Sequence, residues 1–131
     1  MHEQKGDIVM KKIIIILATA LVMSLFTASA SFANKASVTI DAPQSASQGS
    51  EITIKVNVFH SADNPLHYTN WVYIKVNGKE IARWDFTSSK RPESNNFSRE
   101  IKYKVSGPTV VTAEANCNIH GSAGPATLEI K

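Results

Sequence analysis

The sequence predicts an all-β fold, a sandwich of about seven antiparallel strands, and three observations lead to this class. Apolar and polar residues alternate with period two over several short segments, which is typical of strands with one buried face. Two such segments flank Asn77-Gly78, a pair that favours the tight turn of a β-hairpin. After residue 33 no segment shows a sustained helical period.

Each strand follows from a local pattern. Apolar residues from Ile52 to Val58 alternate with polar ones, and the same alternation runs from Phe97 to Val105. The hairpin turn separates two further strands, and Gly107-Pro108 separates the last two from the preceding ones. The predicted strands are Ser37–Asp41, Ile52–Val58, Trp71–Val76, Glu80–Phe86, Phe97–Val105, Thr109–Ala115 and Ala126–Ile130. Seven short strands with turns between them fit a two-sheet, immunoglobulin-like β-sandwich, and a small barrel is the competing architecture.

The N-terminal region has the order of a secretory signal peptide. Lys11-Lys12 precedes an apolar run over residues 13–26, and small residues follow, ending in Ser31-Phe32-Ala33. The run of 14 residues is shorter than the ~20 that a membrane-spanning helix needs. We therefore expect residues 1–33 to be removed before Asn34, with cleavage after Ala30 as the alternative, and Met10 is a possible true start. The mature protein is then expected in the periplasm or outside the cell.

Residues 34–131 have the size of one small domain. Eight Lys and three Arg face nine acidic residues in this part, which gives a net charge of +2. This balance does not indicate binding to nucleic acid or, after cleavage, to a membrane. The sequence is compatible with a homo-oligomer.

Cys117 is the only cysteine, so no disulfide can form within the chain. Exported domains of this size are often held together by disulfides. Cys117 is therefore a buried inert residue, a link to another chain, or a ligand or reactive thiol. Free cysteines are frequently only small buried apolar residues, and this alternative applies to Cys117 taken alone.

Three histidines complete a candidate metal site with Cys117. His120 follows it in a Cys-x-x-His spacing, which lets both side chains approach one ion. His60 and His67 are the other histidines after residue 33, and each lies at the end of a predicted strand. Each histidine taken alone is typical of an ordinary residue at a strand end. The three histidines and Cys117 together, all at loop positions, favour a shared metal ion. Imidazole and thiolate suit iron, zinc and copper.

Two segments resemble a known family. His67-Tyr68-Thr69-Asn70-Trp71-Val72 with the following Asn-Gly-Lys hairpin, and Cys117-Asn118-Ile119-His120-Gly121, are similar to the iron domain of desulfoferrodoxins and neelaredoxins, the superoxide reductases. The resemblance covers about Ile40 to the C-terminus, and the Cys-Asn-x-His-Gly element is the more specific one. It implies an immunoglobulin-like fold for residues 34–131, in agreement with the strand pattern.

The resemblance implies a mononuclear non-haem iron (Fe²⁺/Fe³⁺), with zinc or copper as lesser alternatives. Cys117 would be the axial and catalytic ligand, and His60, His67 and His120 equatorial ligands. The expected activity is that of an oxidoreductase that reduces superoxide to hydrogen peroxide, with electrons from an unidentified donor protein.

The chain departs from the family pattern in its ligands. The family carries a fourth histidine in a Glu-Lys-His element, and the corresponding stretch, placed near residues 41–45, contains none. The loop from His60 to His67 is one residue longer than usual, and its proline is displaced to Pro65. Two alternatives therefore remain: a non-catalytic metal-binding or electron-carrier protein with the same ligands, and a metal-free subunit like the sulfur-oxidation carrier partners, with Cys117 as a covalent handle. No methionine follows Met23, so a copper site would lack its common axial ligand.

Overall fold

The computed structural model describes residues 4–17 and 34–131. The chain divides into two compact units, Met1–Ala33 and Asn34–Lys131. Residues 4–17 form a helix with exposed side chains, which includes the beginning of the apolar run. The rest of that run and the predicted cleavage site lie outside the described residues, so the signal peptide stays a prediction. In the part of the chain that the structure describes, no helix is long and apolar enough to cross a membrane.

The second unit consists of seven antiparallel strands in two sheets, as the sequence predicted. The sheets have the strand orders β1-β2-β5 and β4-β3-β6-β7. Predicted and observed boundaries differ by at most two residues at any strand end. The strands are β1 Ser37–Asp41, β2 Glu51–Phe59, β3 Thr69–Val76, β4 Lys79–Asp85, β5 Phe97–Lys104, β6 Thr109–Cys117 and β7 Ala126–Ile130.

The core lies between the two sheets and follows directly from the period-two pattern. Along β2 every second residue is buried, beginning at Ile52, while the residues between them are partly exposed. The central strands of the other sheet, β3 and β6, show the same alternation. Because alternate side chains of a strand point to opposite faces, each strand contributes one apolar face to the interior. The fully buried side chains of this core include Ile54, Val56, Val72, Ile74, Val111, Ala113 and Ala115.

The β3–β4 hairpin turns at Asn77-Gly78, as predicted. Both residues have positive φ angles, 49° and 82°, as a type I′ turn requires. The Asn77 side chain also accepts a hydrogen bond from Val110 N–H at 2.8 Å, which ties the turn to the start of β6. The local signal therefore predicted the turn, whereas the contact of Asn77 with Val110 was not predicted.

One end of the sandwich collects the segments that carry the candidate ligands. β2 ends at Phe59, β3 begins at Thr69 and β6 ends at Cys117. In the antiparallel pairings Thr69 lies opposite Cys117, and Ser37, the first residue of β1, lies opposite Phe59. These segments are therefore neighbours in space.

The structure corrects the placement of the stretch that corresponds to the family's Glu-Lys-His element. This stretch was expected near residues 41–45. Asp41 pairs with Lys55, four residues from the end of β2, and the Gln44 carbonyl accepts a hydrogen bond from Lys131 N–H. This is the end of β1 away from the candidate ligands. The segment beside them is the one before β1, where Ala36 N–H donates to the Gly121 carbonyl at 3.3 Å.

Ile54 provides a test of the packed core. Its side chain is 0% exposed in the middle of β2. We expect Ile54→Ala to lower the free energy of unfolding by about 2–5 kcal/mol and Ile54→Val by about 0.5–1.5 kcal/mol, because each leaves a cavity that the core fills only in part. Urea unfolding of the metal-free protein measures both, with the outward-facing Lys55→Ala as the control. If all three variants lost the same small amount of unfolding free energy, this account of the core would be contradicted.

Candidate metal centre

A tight turn after β6 brings His120 back against Cys117. Cys117 N–H donates to the Gly121 carbonyl and Gly121 N–H donates to the Cys117 carbonyl, both at 3.0 Å. Gly121 has φ +83°, a conformation that glycine adopts without strain. The turn places His120 Nδ1 3.8 Å from Cys117 Sγ, and His120 N–H donates to the same sulfur at 3.3 Å. The Cys-x-x-His spacing thus places two candidate metal donors, the Cys117 sulfur and the His120 imidazole, on one side of the turn.

The loop between β2 and β3 presents the other two histidines. His60 directly follows β2, and its backbone N–H donates to Asn96 Oδ1 at 3.2 Å. Near the end of the loop, Asn64 and His67 exchange two backbone hydrogen bonds of 2.9 and 3.1 Å. The Asn64 side chain also accepts from His67 N–H at 3.0 Å. The loop therefore has a defined local structure at both of its histidines.

Asn118 joins this loop to the turn after β6. Its side chain accepts a hydrogen bond from Tyr68 N–H at 3.0 Å and donates to the Leu66 carbonyl at 3.1 Å. Its own N–H donates to the Tyr68 carbonyl at 3.1 Å. Residues on both sides of His67 are thereby held against the cysteine turn, and His67 Nε2 lies 3.3 Å from His120 Nδ1.

All four predicted ligands come together at this end of the sandwich. Donor atoms of His60, His67 and Cys117 lie within 4.8 Å of one another. The His67 ring lies between the other two imidazoles, with centroid distances of 4.8 Å to His60 and 4.9 Å to His120. Metal–nitrogen and metal–sulfur bonds of about 2.0–2.3 Å place neighbouring donors roughly 3–4 Å apart, so the cluster has the dimensions of a metal site. Their role as ligands stays a prediction.

Exposure increases across the cluster from one side to the other. Cys117 is 1% exposed and His60 6%, while His67 is partly buried and His120 is exposed. Burial is the main cause that lowers the pKa of His60, and the neighbouring His67 lowers it further. His60 is therefore neutral near pH 7, the form in which imidazole binds a metal.

The two ring nitrogens of His60 differ in their surroundings. Nδ1 lies 3.2 Å from the hydroxyl of buried Thr69. Nε2 is buried and has no hydrogen-bond partner among the described residues, although the Asn34 backbone is close enough to the ring to influence its pKa. Buried polar atoms are rarely left unpaired, and an unpaired imidazole nitrogen beside a thiol and two further imidazoles fits a metal.

Several residues that build the site were not singled out from the sequence. Thr69 lies within a motif that was noted, but its inward orientation depends on the pairing of β3 with β6. A second group of residues lies in the 87–96 segment and holds the loop that carries His60 and His67. Arg91 Nε lies 3.3 Å from Asp63 Oδ1, in a partly buried ion pair that falls short of hydrogen-bond alignment. Asn95 Nδ2 donates to the Ser61 carbonyl at 3.3 Å. These contacts join residues more than 25 positions apart and leave no local sequence signal.

Solved structures share this fold. A superoxide reductase (neelaredoxin) from Ignicoccus hospitalis is 21% identical with a TM-score of 0.60, and the match covers 74% of this chain and 80% of that chain. A mutant superoxide reductase (neelaredoxin) from Archaeoglobus fulgidus, in the reduced form, is 22% identical with a TM-score of 0.50 and coverages of 73% and 91%. A CARDB domain from Pyrococcus furiosus, in complex with di-metal ions, is 14% identical with a TM-score of 0.52 and coverages of 76% and 94%. At these identities the likeness concerns the fold.

The family is shown by the sequence itself. No curated protein matches the chain. The sequence profile of desulfoferrodoxin, however, matches residues 29–122, which include all four clustered side chains. This chain therefore belongs to the desulfoferrodoxin family.

Proposed function

We propose that this chain is an exported mononuclear non-haem iron protein of the superoxide reductase type. In this reaction superoxide takes up one electron from an external donor and two protons, which gives hydrogen peroxide without release of dioxygen. The observation that carries the proposal is the convergence of three imidazoles and one thiol from two separated loops at one end of the sandwich.

The residues present suit iron and its redox chemistry. Imidazole and thiolate donors bind iron, and bound iron would supply the electron that superoxide takes up. The His120 backbone N–H, which donates to Cys117 Sγ at 3.3 Å, stabilises negative charge on that sulfur. Hydrogen bonds to a ligating sulfur are one of the means by which proteins set the potential of a metal centre. Cys117 and its turn would therefore tune the potential.

The graded exposure suits a small anionic substrate. Cys117 forms the buried side of the cluster, and His120 forms the side open to solvent. A diatomic anion can reach such a site from the surface. A depression of about 580 Å³ lies elsewhere, lined by residues that include Asp41, Glu51 and Glu100, and its acidic character does not suit an anion.

Three exposed apolar residues adjoin the proposed histidine ligands along the chain. Leu66 is 80% exposed, Ile119 58% and Phe59 46%, and each directly precedes one of the three histidines. Exposed apolar groups around a redox centre are a suitable contact for a protein that delivers electrons. These side chains therefore support an external electron-donor protein as the partner in the proposed reaction.

Two finer assignments complete the proposal. The order of Lys11-Lys12, an apolar run and small residues supports export to the periplasm or the outside. The strand orders β1-β2-β5 and β4-β3-β6-β7 support the immunoglobulin-like class, because that class joins its first, second and fifth strands in one sheet and its third, sixth and seventh in the other. β4 departs from the seven-strand pattern, since it pairs with β3 in the second sheet.

A second function keeps the metal site without catalysis. Four protein donors equal the number in a closed tetrahedral zinc site, so a structural role has a specific basis. An electron-carrier role would need a redox-active metal, iron or copper, at the same donors, because zinc has no redox chemistry. The metal-free alternative has less support, because Cys117 is 1% exposed and a covalent handle must be accessible.

Thr69 tests whether the orientation of His60 matters for metal binding. If its hydroxyl accepts a hydrogen bond from Nδ1–H, the lone pair of His60 Nε2 is free for a metal. We expect Thr69→Val to weaken ferrous iron binding about 10–100-fold, while Thr69→Ser keeps the hydroxyl and stays close to the unmodified protein. Competition with a chromophoric chelator measures the affinity, and urea unfolding of the metal-free forms checks that both variants fold. Unchanged affinity in Thr69→Val would exclude this role.

The proposed activity is tested by metal content and product yield. Protein purified without oxygen should contain about one iron per chain and, when oxidised, show a thiolate-to-iron charge-transfer band, because the thiolate donates electron density to ferric iron. Cys117→Ser should lose the band. Reduction gives one hydrogen peroxide per superoxide consumed, whereas dismutation gives one for every two. A dismutation yield, or zinc in place of iron in anaerobic preparations, would overturn the proposed function.

A further inference from the structure

We propose that the α-amino group of Asn34, released by removal of the export signal, is a further metal ligand at the centre formed by His60, His67, Cys117 and His120. The inference rests on the proposed function in one respect, the export and cleavage before Asn34. It adds a donor that neither the motif nor the side-chain cluster contains, and it makes metal binding depend on processing.

The segment after Asn34 is held against the turn that carries two of the donors. Ala36 N–H donates to the Gly121 carbonyl at 3.3 Å, and Ala123 N–H donates to the Ala36 carbonyl at 2.9 Å. Ala36 also forms a parallel bridge with Ser122 and is 0% exposed. Two residues of extended chain span at most about 7 Å, so Asn34 cannot move far from this end of the sandwich.

Asn34 itself lies against the innermost imidazole. Ser37 lies opposite Phe59 in the pairing of β1 with β2, so the residues before Ser37 run toward His60. The Asn34 backbone accordingly raises the pKa of His60, whose Nε2 is buried without an aligned hydrogen-bond partner. The nitrogen and the carbonyl oxygen of one residue are separated by less than about 4 Å. A new chain terminus at Asn34 would therefore begin close to His60.

Cleavage changes the chemistry of the Asn34 nitrogen. In the uncleaved chain it belongs to a peptide bond, and its lone pair is delocalised into the carbonyl group. A terminal amine that has lost its proton has a localised lone pair and is a nitrogen donor comparable to imidazole. Its ordinary pKa is about 7.7–8.0, so metal binding would release this proton to solvent.

The donor count leaves room for this ligand. The side-chain cluster supplies three imidazoles and one thiolate, whereas iron in an octahedral environment accepts six donors. Ala36 has only a methyl group and cannot contribute. The amine would be the fifth protein donor and would still leave one position open to a substrate.

A consequence is that the precursor holds the metal more weakly than the processed protein. Before cleavage, the amide nitrogen of Asn34 offers no lone pair, and the centre has four protein donors. After cleavage it has five. Tight metal loading would thus be postponed until after export.

The experiment compares proteins that differ only at the N-terminus. Residues 34–131 form a compact unit with its own core, so they can be prepared with Asn34 as the first residue by removing a cleavable fusion partner. The matched controls are the same protein with an acetylated α-amine and one that begins at Ser31. Ferrous iron affinity is measured by chelator competition. Pulsed EPR of the Cu²⁺-loaded protein detects coupling to a ¹⁵N label placed at the Asn34 backbone nitrogen. Thermal unfolding of the metal-free forms controls for folding.

We expect the free amine to bind iron at least about tenfold more tightly than both controls, and the ¹⁵N coupling to appear in the free-amine protein alone. Equal affinities without ¹⁵N coupling would overturn the inference, as would exported protein whose N-terminal residue is not Asn34. If the free-amine protein binds iron tightly through the labelled nitrogen but does not reduce superoxide, the proposed function fails and the inference stands. If all three forms reduce superoxide with equal affinity for iron, the function stands and the inference fails. Absence of metal binding in every form would overturn both.

Discussion

The pairing of β3 with β6 is the constraint on which the candidate metal centre depends. Along most of the pair the register is regular, with Val72 opposite Ala115 and Trp71 opposite Asn116. A regular continuation would place Asn70 opposite Cys117 and turn Thr69 outwards. A bulge instead accommodates Asn70 as an extra residue and brings Thr69 opposite Cys117. Because opposite residues of an antiparallel pair share a face, Thr69 and Cys117 both point inwards, where the hydroxyl meets His60.

Asn70, the extra residue of the bulge, makes a side-chain hydrogen bond beside the site. Asn70 Oδ1 accepts a hydrogen bond from Asn116 Nδ2 at 2.8 Å, and the same amide group donates to the Cys117 carbonyl at 3.0 Å. The bulge therefore has its own polar support directly beside the cysteine. A local irregularity of the backbone, stabilised by two asparagines, determines which side chains enter the site. Bulges of this kind often occur next to functional sites because they redirect a single side chain.

The polar atoms of the cluster also connect metal binding with stability. His60 Nε2 is buried without a partner among the described residues, and leaving such an atom unpaired costs about 1–3 kcal/mol. The close approach of three imidazoles adds repulsion whenever more than one of them carries a proton, and His67 and His120 both lower the pKa of His60. The metal-free domain therefore contains a local strain of electrostatic origin at one end of an otherwise apolar core. A bound cation would relieve it, since the nitrogen lone pairs that have no hydrogen-bond donor would then face a positive charge.

The features that the sequence predicted are those with a local cause. Alternation in β2 and β6 follows from burial of one face, and Asn77-Gly78 follows from the φ angles of a tight turn. The proximity of the four candidate side chains could be predicted because histidines and cysteine are rare in this chain and lie at strand ends. The bulge at Asn70, the inward orientation of Thr69 and the links made by Asn118 and Arg91 depend on register and on residues far apart in sequence. The misplacement of the segment near residues 41–45 has the same origin, because only the direction of β1 relative to β2 shows which end of that strand approaches His60.

The fold alone does not determine the chemistry of this family. The CARDB domain has a similar backbone at 14% identity, and the neelaredoxins are only slightly closer at 21–22%. In this chain the loops that carry the candidate ligands are tied together at one end of the sandwich. Asn118 holds the His67 segment against the cysteine turn, and the 87–96 segment holds the residues after His60. Since the strands would form the same core without these contacts, the loops can vary without loss of the fold. The proposed function therefore depends on a few long-range polar contacts that orient side chains, and much less on the apolar core that supports them.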